Sequence, residues 1–168
     1  MKRAAFFAQV ANAMQAMNEA GFVHADMKPN NIIVDDNGNA KIIDLGQCCP
    51  IGTIKKRIQG TPDYIAPEQV RRFPLDARTD VYNFGASLYW TLTGKPIPTI
   101  LAKPGSMTVP GQNAMATPPE KLNADVPPLL SRLILDCIRL QPVERPASMR
   151  EVSMRLGLIL QKLLVPAS

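Results

Sequence analysis

Two short apolar runs joined by an Asn-Gly turn constrain the fold of this chain most. The runs at 32–34 and 40–43 flank the segment DNGN at 36–39, and an Asn-Gly pair between such runs is a strong signal for a β-hairpin. Asn31 enters this hairpin and Asp44 leaves it. Because the two ends of a hairpin lie side by side, the sequence predicts that these two side chains lie close together.

Segments with helical periodicity surround the hairpin. Residues 4–20 and 130–138 carry apolar side chains on one face, which predicts amphipathic helices. Residues 80–93 are almost wholly apolar and predict a buried helix. A capping-box pattern at 148–151 predicts the start of the last helix, and we expect one further short helix near 97–103. The predicted fold class is mainly α with a small β-hairpin.

The bulk properties favour one soluble domain over 1–168. The net charge of +5 is mild, and the basic residues are scattered apart from the run at 55–57, with no interleaved aromatic stripe. We therefore expect no nucleic-acid partner. No apolar run approaches the length of a membrane span. The three cysteines form no disulfide framework or spaced metal motif, so a reducing cytoplasm is the expected compartment.

The segment HADMKPNN at 24–31 carries the residue types that phosphoryl transfer requires. Its proline fixes φ and keeps Lys28 out of helical geometry, which predicts a rigid loop. Transfer from Mg-ATP needs a group that accepts the hydroxyl proton, a cation at the transferred phosphate and oxygen ligands for magnesium. Asp26 and Lys28 fit the first two needs, and Asn31 and Asp44 fit the third.

Several motifs, in this order along the chain, resemble those of the large C-terminal lobe of a protein kinase. HADMKPNN resembles the HRDLKPEN catalytic loop, DLG at 44–46 resembles the DFG magnesium motif, and GTPDYIAPE at 60–68 resembles the end of the activation segment. Asp80 in DVYNFG and Arg145 in ERPAS match two further family positions. Lysine in the catalytic loop and the wording of GTPDYIAPE are similar to the serine/threonine branch.

The resemblance runs from about residue 4 to residue 164 and implies a kinase-like large lobe. It implies that 1–168 is a partial catalytic domain in which 44–68 is the activation segment. The implied activity is that of a serine/threonine protein kinase, which transfers the γ-phosphate of ATP, with Mg²⁺ as cofactor, to a serine or threonine hydroxyl of a protein substrate.

Five residues acquire catalytic or binding roles by this resemblance. Asp26 would orient the substrate hydroxyl and accept its proton, and Lys28 would stabilise charge on the γ-phosphate. Asn31 and Asp44 would coordinate magnesium. Thr61 would contact the catalytic aspartate and lysine. Taken alone, each is also typical of an ordinary turn or solvated surface residue.

Three residues acquire structural roles. Glu68 and Arg145 would form a buried ion pair that ties the activation segment to the helical core. Asp80 would hold the backbone of the catalytic loop from the start of the buried helix. By contrast, we expect His24 to be a packed core residue and not a proton carrier.

The chain also departs from the family pattern. Ala25 stands where most of the family has an arginine that receives a loop phosphate, and Leu45 replaces the usual phenylalanine. No glycine-rich loop, strand lysine or partner glutamate precedes the first helix. We therefore expect a fragment with little activity alone, whose missing N-terminal lobe is a natural partner. A pseudokinase-like protein-binding module and a small-molecule phosphotransferase of kinase-like fold remain as alternatives.

Overall fold

The computed structural model describes residues 2–98 and 115–164, and the helix expected near 97–103 lies mostly outside them. In the described ranges, six α-helices and four short strands follow one another along the chain. Their bounds in chain order are α1 (Lys2–Glu19), β1 (Phe22–Val23), β2 (Ile32–Val34), β3 (Ala40–Ile42), β4 (Cys49–Pro50), α2 (Pro67–Arg71), α3 (Ala77–Thr93), α4 (Pro119–Leu122), α5 (Pro128–Cys137) and α6 (Met149–Leu164). Single 3₁₀ turns occupy Pro29–Asn31 and Pro142–Glu144. The mainly α fold class is therefore confirmed.

Helix α3 is the centre of the fold. Its N-cap is Asp76, whose carboxylate accepts a hydrogen bond from the Arg78 N–H at 2.8 Å and so satisfies one of the free donors at the helix start. It packs against α1, α4, α5 and α6. At Gly85 an added Cβ would lie 2.5 Å from the Cβ of Cys137, so only glycine allows α3 and α5 to approach this closely.

The two terminal helices close the core around α3. Phe7 of α1 meets Phe84 of α3 edge to face, with ring centroids 5.4 Å apart, and such a pair stabilises beyond its buried area. Helix α6 packs along α1. Its predicted capping residues are in place: the Glu151 N–H donates to the Ser148 hydroxyl, and the Glu151 carboxylate accepts from the Ala147 N–H.

The predicted hairpin is confirmed. Strands β2 and β3 pair antiparallel, with Ile32 opposite Ile42 and Val34 opposite Ala40. At the turn the Asp35 carboxylate accepts from the N–H groups of Asn37 and Asn39. These hydrogen bonds fix the turn, and the turn fixes the register of the strands.

Strands β1 and β4 also pair antiparallel, which the sequence analysis did not predict. Phe22 lies opposite Pro50 and Val23 opposite Cys49. Each strand has two residues, too few to show any periodicity, and the partners are distant in sequence. This small sheet matters because β1 leads directly into the loop at 24–31. None of the helices described is long and apolar enough to cross a membrane.

Candidate active site

Asp80, at the start of α3, holds the beginning of the loop at 24–31. Its side chain is fully buried, and its two oxygens accept hydrogen bonds from the backbone N–H groups of His24 and Ala25, each at 3.0 Å. The Asn18 amide donates to the same carboxylate at 2.8 Å. Burial raises the pKa of the Asp80 carboxyl, while these N–H donors act in the opposite direction. The carboxylate is thus satisfied on both oxygens by the loop it anchors.

Ala25 adopts a backbone conformation that is costly for a residue with a Cβ. Its φ is 62°, in the left-handed region, where a non-glycine residue loses about 1–2 kcal/mol. Its N–H is fixed by Asp80, and its carbonyl accepts a hydrogen bond from the Gln69 side chain at 2.7 Å. Two buried side chains from different elements therefore enforce this conformation just before Asp26.

Gln69, in α2, is a site residue that the sequence analysis missed. Its side-chain nitrogen donates to Ala25, and its oxygen accepts from the Ala66 N–H and the Asn83 amide, each at 2.9 Å. Asn83 in turn donates to the Tyr64 carbonyl at 2.7 Å. A glutamine in a five-residue helix carries no periodic signal, so only the packed structure identifies it.

Asp26, Lys28 and Thr61 form a closed triangle of side chains. The Lys28 Nζ lies 3.0 Å from Asp26 Oδ2 and donates to Thr61 Oγ1, also at 3.0 Å. Thr61 donates to Asp26 Oδ1 twice, from its hydroxyl at 2.9 Å and from its N–H at 3.1 Å. The lysine side chain is 23% exposed and the aspartate side chain 10%. The cluster is therefore ordered by its own contacts and still open to an arriving molecule.

Asn31 and Asp44 lie at the open end of the hairpin. The Ile43 N–H donates to the Asn31 carbonyl at 2.9 Å, which brings the residue next to Asp44 onto Asn31. The Asn31 amide nitrogen donates to the Asp26 carbonyl at 2.9 Å. The nitrogen of an amide only donates, so the oxygen is the atom of this side chain that can bind a cation.

The Asp44 carboxylate is exposed to solvent. Its residue has a φ of 61°, and one carboxylate oxygen accepts the Gly46 N–H at 3.2 Å. An exposed carboxylate is a ligand type that suits a hard divalent cation. Within the described ranges, no three His, Cys, Asp or Glu side chains gather as a metal cluster. The side chains of Asn31 and Asp44 offer oxygen atoms, the ligand type that Mg²⁺ prefers.

His24 is buried behind the loop, as expected. Its Nδ1 accepts the Asp26 N–H at 3.3 Å, and its buried Nε2 has no hydrogen-bond partner among the described residues. The ring therefore supports the Asp26 backbone from inside and has no path to solvent for proton transfer.

Glu68 and Arg145 form a buried, bidentate ion pair. The two guanidinium nitrogens lie 2.7 and 2.9 Å from the two carboxylate oxygens. The Arg145 side chain is 0% exposed and that of Glu68 6%. Charge-assisted, bidentate hydrogen bonds of this kind are stronger than hydrogen bonds between neutral groups.

The same arginine also contacts three backbone carbonyls and an aromatic ring. Its remaining hydrogen bonds go to carbonyl oxygens at distances of 2.7 to 3.2 Å, and its guanidinium lies 4.8 Å from the centre of the Tyr82 ring. These acceptors belong to Arg78, Arg139 and Leu140. Burial raises the pKa of Tyr82 to about 12, so this ring is neutral at physiological pH.

Comparison with known proteins gives one consistent result. The protein kinase domain family model matches residues 2–155. A probable serine/threonine-protein kinase of Clostridium acetobutylicum is 36% identical over 148 residues, which cover 86% of this chain and 22% of that protein. Serine/threonine-protein kinase PknB of Mycolicibacterium smegmatis is 35% identical over 159 residues, which cover 89% of this chain and 25% of that protein.

A third relative extends the match slightly further. Serine/threonine-protein kinase PknL of Mycobacterium tuberculosis is 31% identical over 171 aligned residues, which cover 94% of this chain and 40% of that protein. The chain thus spans a quarter to two fifths of the length of the last two relatives. Together with the arrangement of its motifs in space, these matches show that the chain belongs to the protein kinase family, in its serine/threonine branch.

Proposed function

We propose that this chain carries the catalytic loop of a serine/threonine protein kinase, which transfers the γ-phosphate of ATP to a protein hydroxyl. The observation that carries the proposal is the triangle of Asp26, Lys28 and Thr61. It combines a carboxylate, a cation and a hydroxyl within hydrogen-bond distance, on a loop whose backbone is held by buried side chains.

In this proposal Asp26 orients the substrate hydroxyl and accepts its proton as the oxygen attacks phosphorus. A carboxylate within hydrogen-bond reach of the proton is the requirement for such a base. Lys28 then places its positive charge beside the transferred phosphoryl group, where charge is spread over oxygens in the transition state. Thr61 holds both side chains and limits their rotation.

The residues also fit the proposed magnesium and ATP. The oxygens of Asn31 and Asp44 would hold Mg²⁺ at the open end of the hairpin, and Lys28 would contact the nucleotide. When bound, the metal neutralises charge on the phosphate oxygens. The Asn31 amide is also tied to the Asp26 carbonyl, so the metal ligand and the base belong to one rigid unit.

An exposed apolar surface supports the proposal that an N-terminal lobe covers this site. Ile33, Val34, Ile43 and Leu45 on and beside the hairpin are between 38% and 57% exposed. Apolar side chains this exposed, on one hairpin and the residues beside it, are the kind that an interface covers. We further propose that residues 44–68 form the activation segment and that the protein is located in the cytoplasm.

The acceptor of the phosphate distinguishes the proposed function from its alternatives. The complete protein is incubated with Mg²⁺ and ATP labelled at the γ-phosphate, together with casein, kanamycin or choline in separate reactions. We expect label in serine or threonine of the protein acceptor only. Label in kanamycin or choline would indicate a small-molecule phosphotransferase, and no transfer to any acceptor by folded protein would indicate a protein-binding module.

A matched pair of substitutions on the hairpin tests the metal ligand. Asp44→Asn should reduce transfer by about 100-fold, because the removal of a key electrostatic group costs on that order. Asp36→Asn makes the same change at the exposed turn of the hairpin and should leave transfer unchanged. Equal activity of the two variants would refute a metal-binding role for Asp44.

A further inference from the structure

Five basic residues lie on two segments that contact one another near the candidate active site. They come from the run at 55–57 and from residues 71–72 at the end of α2, and three hydrogen bonds join these segments or the residues close to them in the chain. Gly52 N–H donates to the Leu75 carbonyl at 2.8 Å, Leu75 N–H donates to the Thr53 carbonyl at 3.1 Å, and the Arg72 guanidinium donates to the Lys56 carbonyl at 3.2 Å. We call Lys55, Lys56, Arg57, Arg71 and Arg72 the basic surface.

The positive charges of the basic surface have no ion-pair partners among the residues that the structure describes. Lys56, Arg57, Arg71 and Arg72 are exposed, and none of the five forms an ion pair with a carboxylate in the part of the chain that the structure describes. Lys55 donates to the Gln47 carbonyl at 2.7 Å, a neutral acceptor. Clustered cations without acidic partners raise the local potential, which attracts negative charge.

The basic surface lies within reach of a substrate bound at Asp26. The Gln69 nitrogen that donates to the Ala25 carbonyl also donates to the Gln59 carbonyl, at 3.3 Å. Gln59 therefore lies beside the catalytic loop, and Arg57 precedes it by two residues, or at most about 7 Å of extended backbone. Thr61, two residues after Gln59, contacts Asp26 itself.

We propose that the basic surface binds acidic side chains of the protein substrate, close to the serine or threonine that accepts phosphate. This inference rests on the proposed function and names its substrate class. Ile54, Ile58 and Phe73 are 59%, 49% and 54% exposed among the basic residues, so the complementary substrate segment combines acidic and apolar side chains. A nucleic acid fits less well, because within the described ranges Phe73 is the one exposed aromatic ring among these basic residues that could stack on a base.

Peptide binding tests this inference without any need for phosphate transfer. A fluorescent peptide with one serine flanked by four glutamates is compared with its glutamine counterpart by anisotropy, using the complete protein without ATP. We expect the acidic peptide to bind about tenfold more tightly at low salt, which several exposed ion pairs together can supply. The advantage should fall as salt screens the charges.

Two charge-matched double variants identify the surface responsible. Lys56→Glu with Arg57→Glu should abolish the preference for the acidic peptide. Both side chains are exposed, and Lys56 contributes only its carbonyl to the contact with Arg72. Arg132→Glu with Arg150→Glu changes the charge equally at exposed positions of α5 and α6, and this control should keep the preference.

The possible outcomes separate this inference from the proposed function. Phosphate transfer with equal affinity for both peptides, or a preference that survives reversal at 56 and 57, would refute the inference and leave the kinase proposal intact. A preference without phosphate transfer would support an acidic-peptide site and refute the proposed function. Stoichiometric displacement of the acidic peptide by a single-stranded oligonucleotide would overturn the inference in favour of nucleic acid.

Discussion

Two ion pairs in this molecule, Glu68 with Arg145 and Asp26 with Lys28, have similar chemistry and different surroundings. Glu68 and Arg145 are almost completely buried, and the guanidinium donates its hydrogen bonds to one carboxylate and three backbone carbonyls. Asp26 and Lys28 are joined at a similar distance but are partly open to solvent. The enclosed pair has no donor left for a ligand, whereas the open pair can exchange contacts with one. Burial thus separates a structural role from a binding role.

The enclosed pair gives the largest expected effect on stability. Arg145→Leu leaves the Glu68 carboxylate buried without its partner, which typically costs about 3–5 kcal/mol. We expect the free energy of unfolding of the complete protein, measured by urea denaturation, to fall by about this amount. Lys41→Met breaks an exposed pair with Asp35 and should cost less than about 1 kcal/mol. Similar losses in the two variants would contradict the distinction drawn here.

Gln69 connects the two pairs, because it follows Glu68 in α2 and holds the backbone next to Asp26. Gln69→Leu keeps the size of the side chain but leaves the Ala25 carbonyl and the Asn83 amide without this partner. We expect a loss of about 1–3 kcal/mol in the free energy of unfolding, the usual cost of an unsatisfied buried polar group. Gln161→Leu, at an exposed position of α6, is the matched control and should be close to neutral.

Substitution in the triangle of Asp26, Lys28 and Thr61 should change mainly the activity. Thr61→Ala removes the hydroxyl that contacts both Asp26 and Lys28. We expect phosphate transfer to fall about tenfold because the two catalytic groups lose their alignment, while stability changes by no more than about 1 kcal/mol. Thr61→Ser keeps the hydroxyl and should restore activity. A large stability loss with unchanged transfer would assign Thr61 to the structural region instead.

The reactivity of the Cys48 thiol tests whether the segment after Asp44 is shielded from solvent. Burial, and then the neighbouring Cys49, raise the pKa of the Cys48 thiol above its ordinary 9.0. Because the thiolate is the reactive form, a raised pKa means less thiolate at neutral pH. We expect alkylation by iodoacetamide to be slower than that of glutathione and to accelerate above pH 9. Fast labelling at pH 7 that disappears in Cys48→Ser would contradict a raised pKa of the Cys48 thiol.

The parts of the fold that local patterns encode were predictable. The Asn-Gly turn identified the β2–β3 hairpin, and the continuous apolar segment identified α3. The structure also brings Thr61 onto Asp26 and Lys28, and Glu68 onto Arg145, in contacts that match those expected from the family motifs. Local periodicity alone could not have found these contacts, since their partners are far apart in sequence.

The connections behind the site were not predictable. The β1–β4 pair is too short to leave a pattern, and Gln69 and Asn18 are polar residues whose burial depends on distant segments. The positive φ of Ala25 is likewise invisible in an alanine, a residue that gives no sign of left-handed backbone. Each of these features exists only once tertiary contacts satisfy its polar groups.

The most direct test of the distinction between the two pairs uses Asp26→Asn, a nearly isosteric change. Phosphate transfer and the free energy of unfolding are measured on the same preparation of the complete protein and compared with wild type. We predict that transfer falls by about 10²–10⁴-fold, as expected for loss of a general base, while the free energy of unfolding changes by no more than about 1 kcal/mol. Retained transfer, or a loss of stability as large as that of Arg145→Leu, would contradict the assignment of the open pair to catalysis.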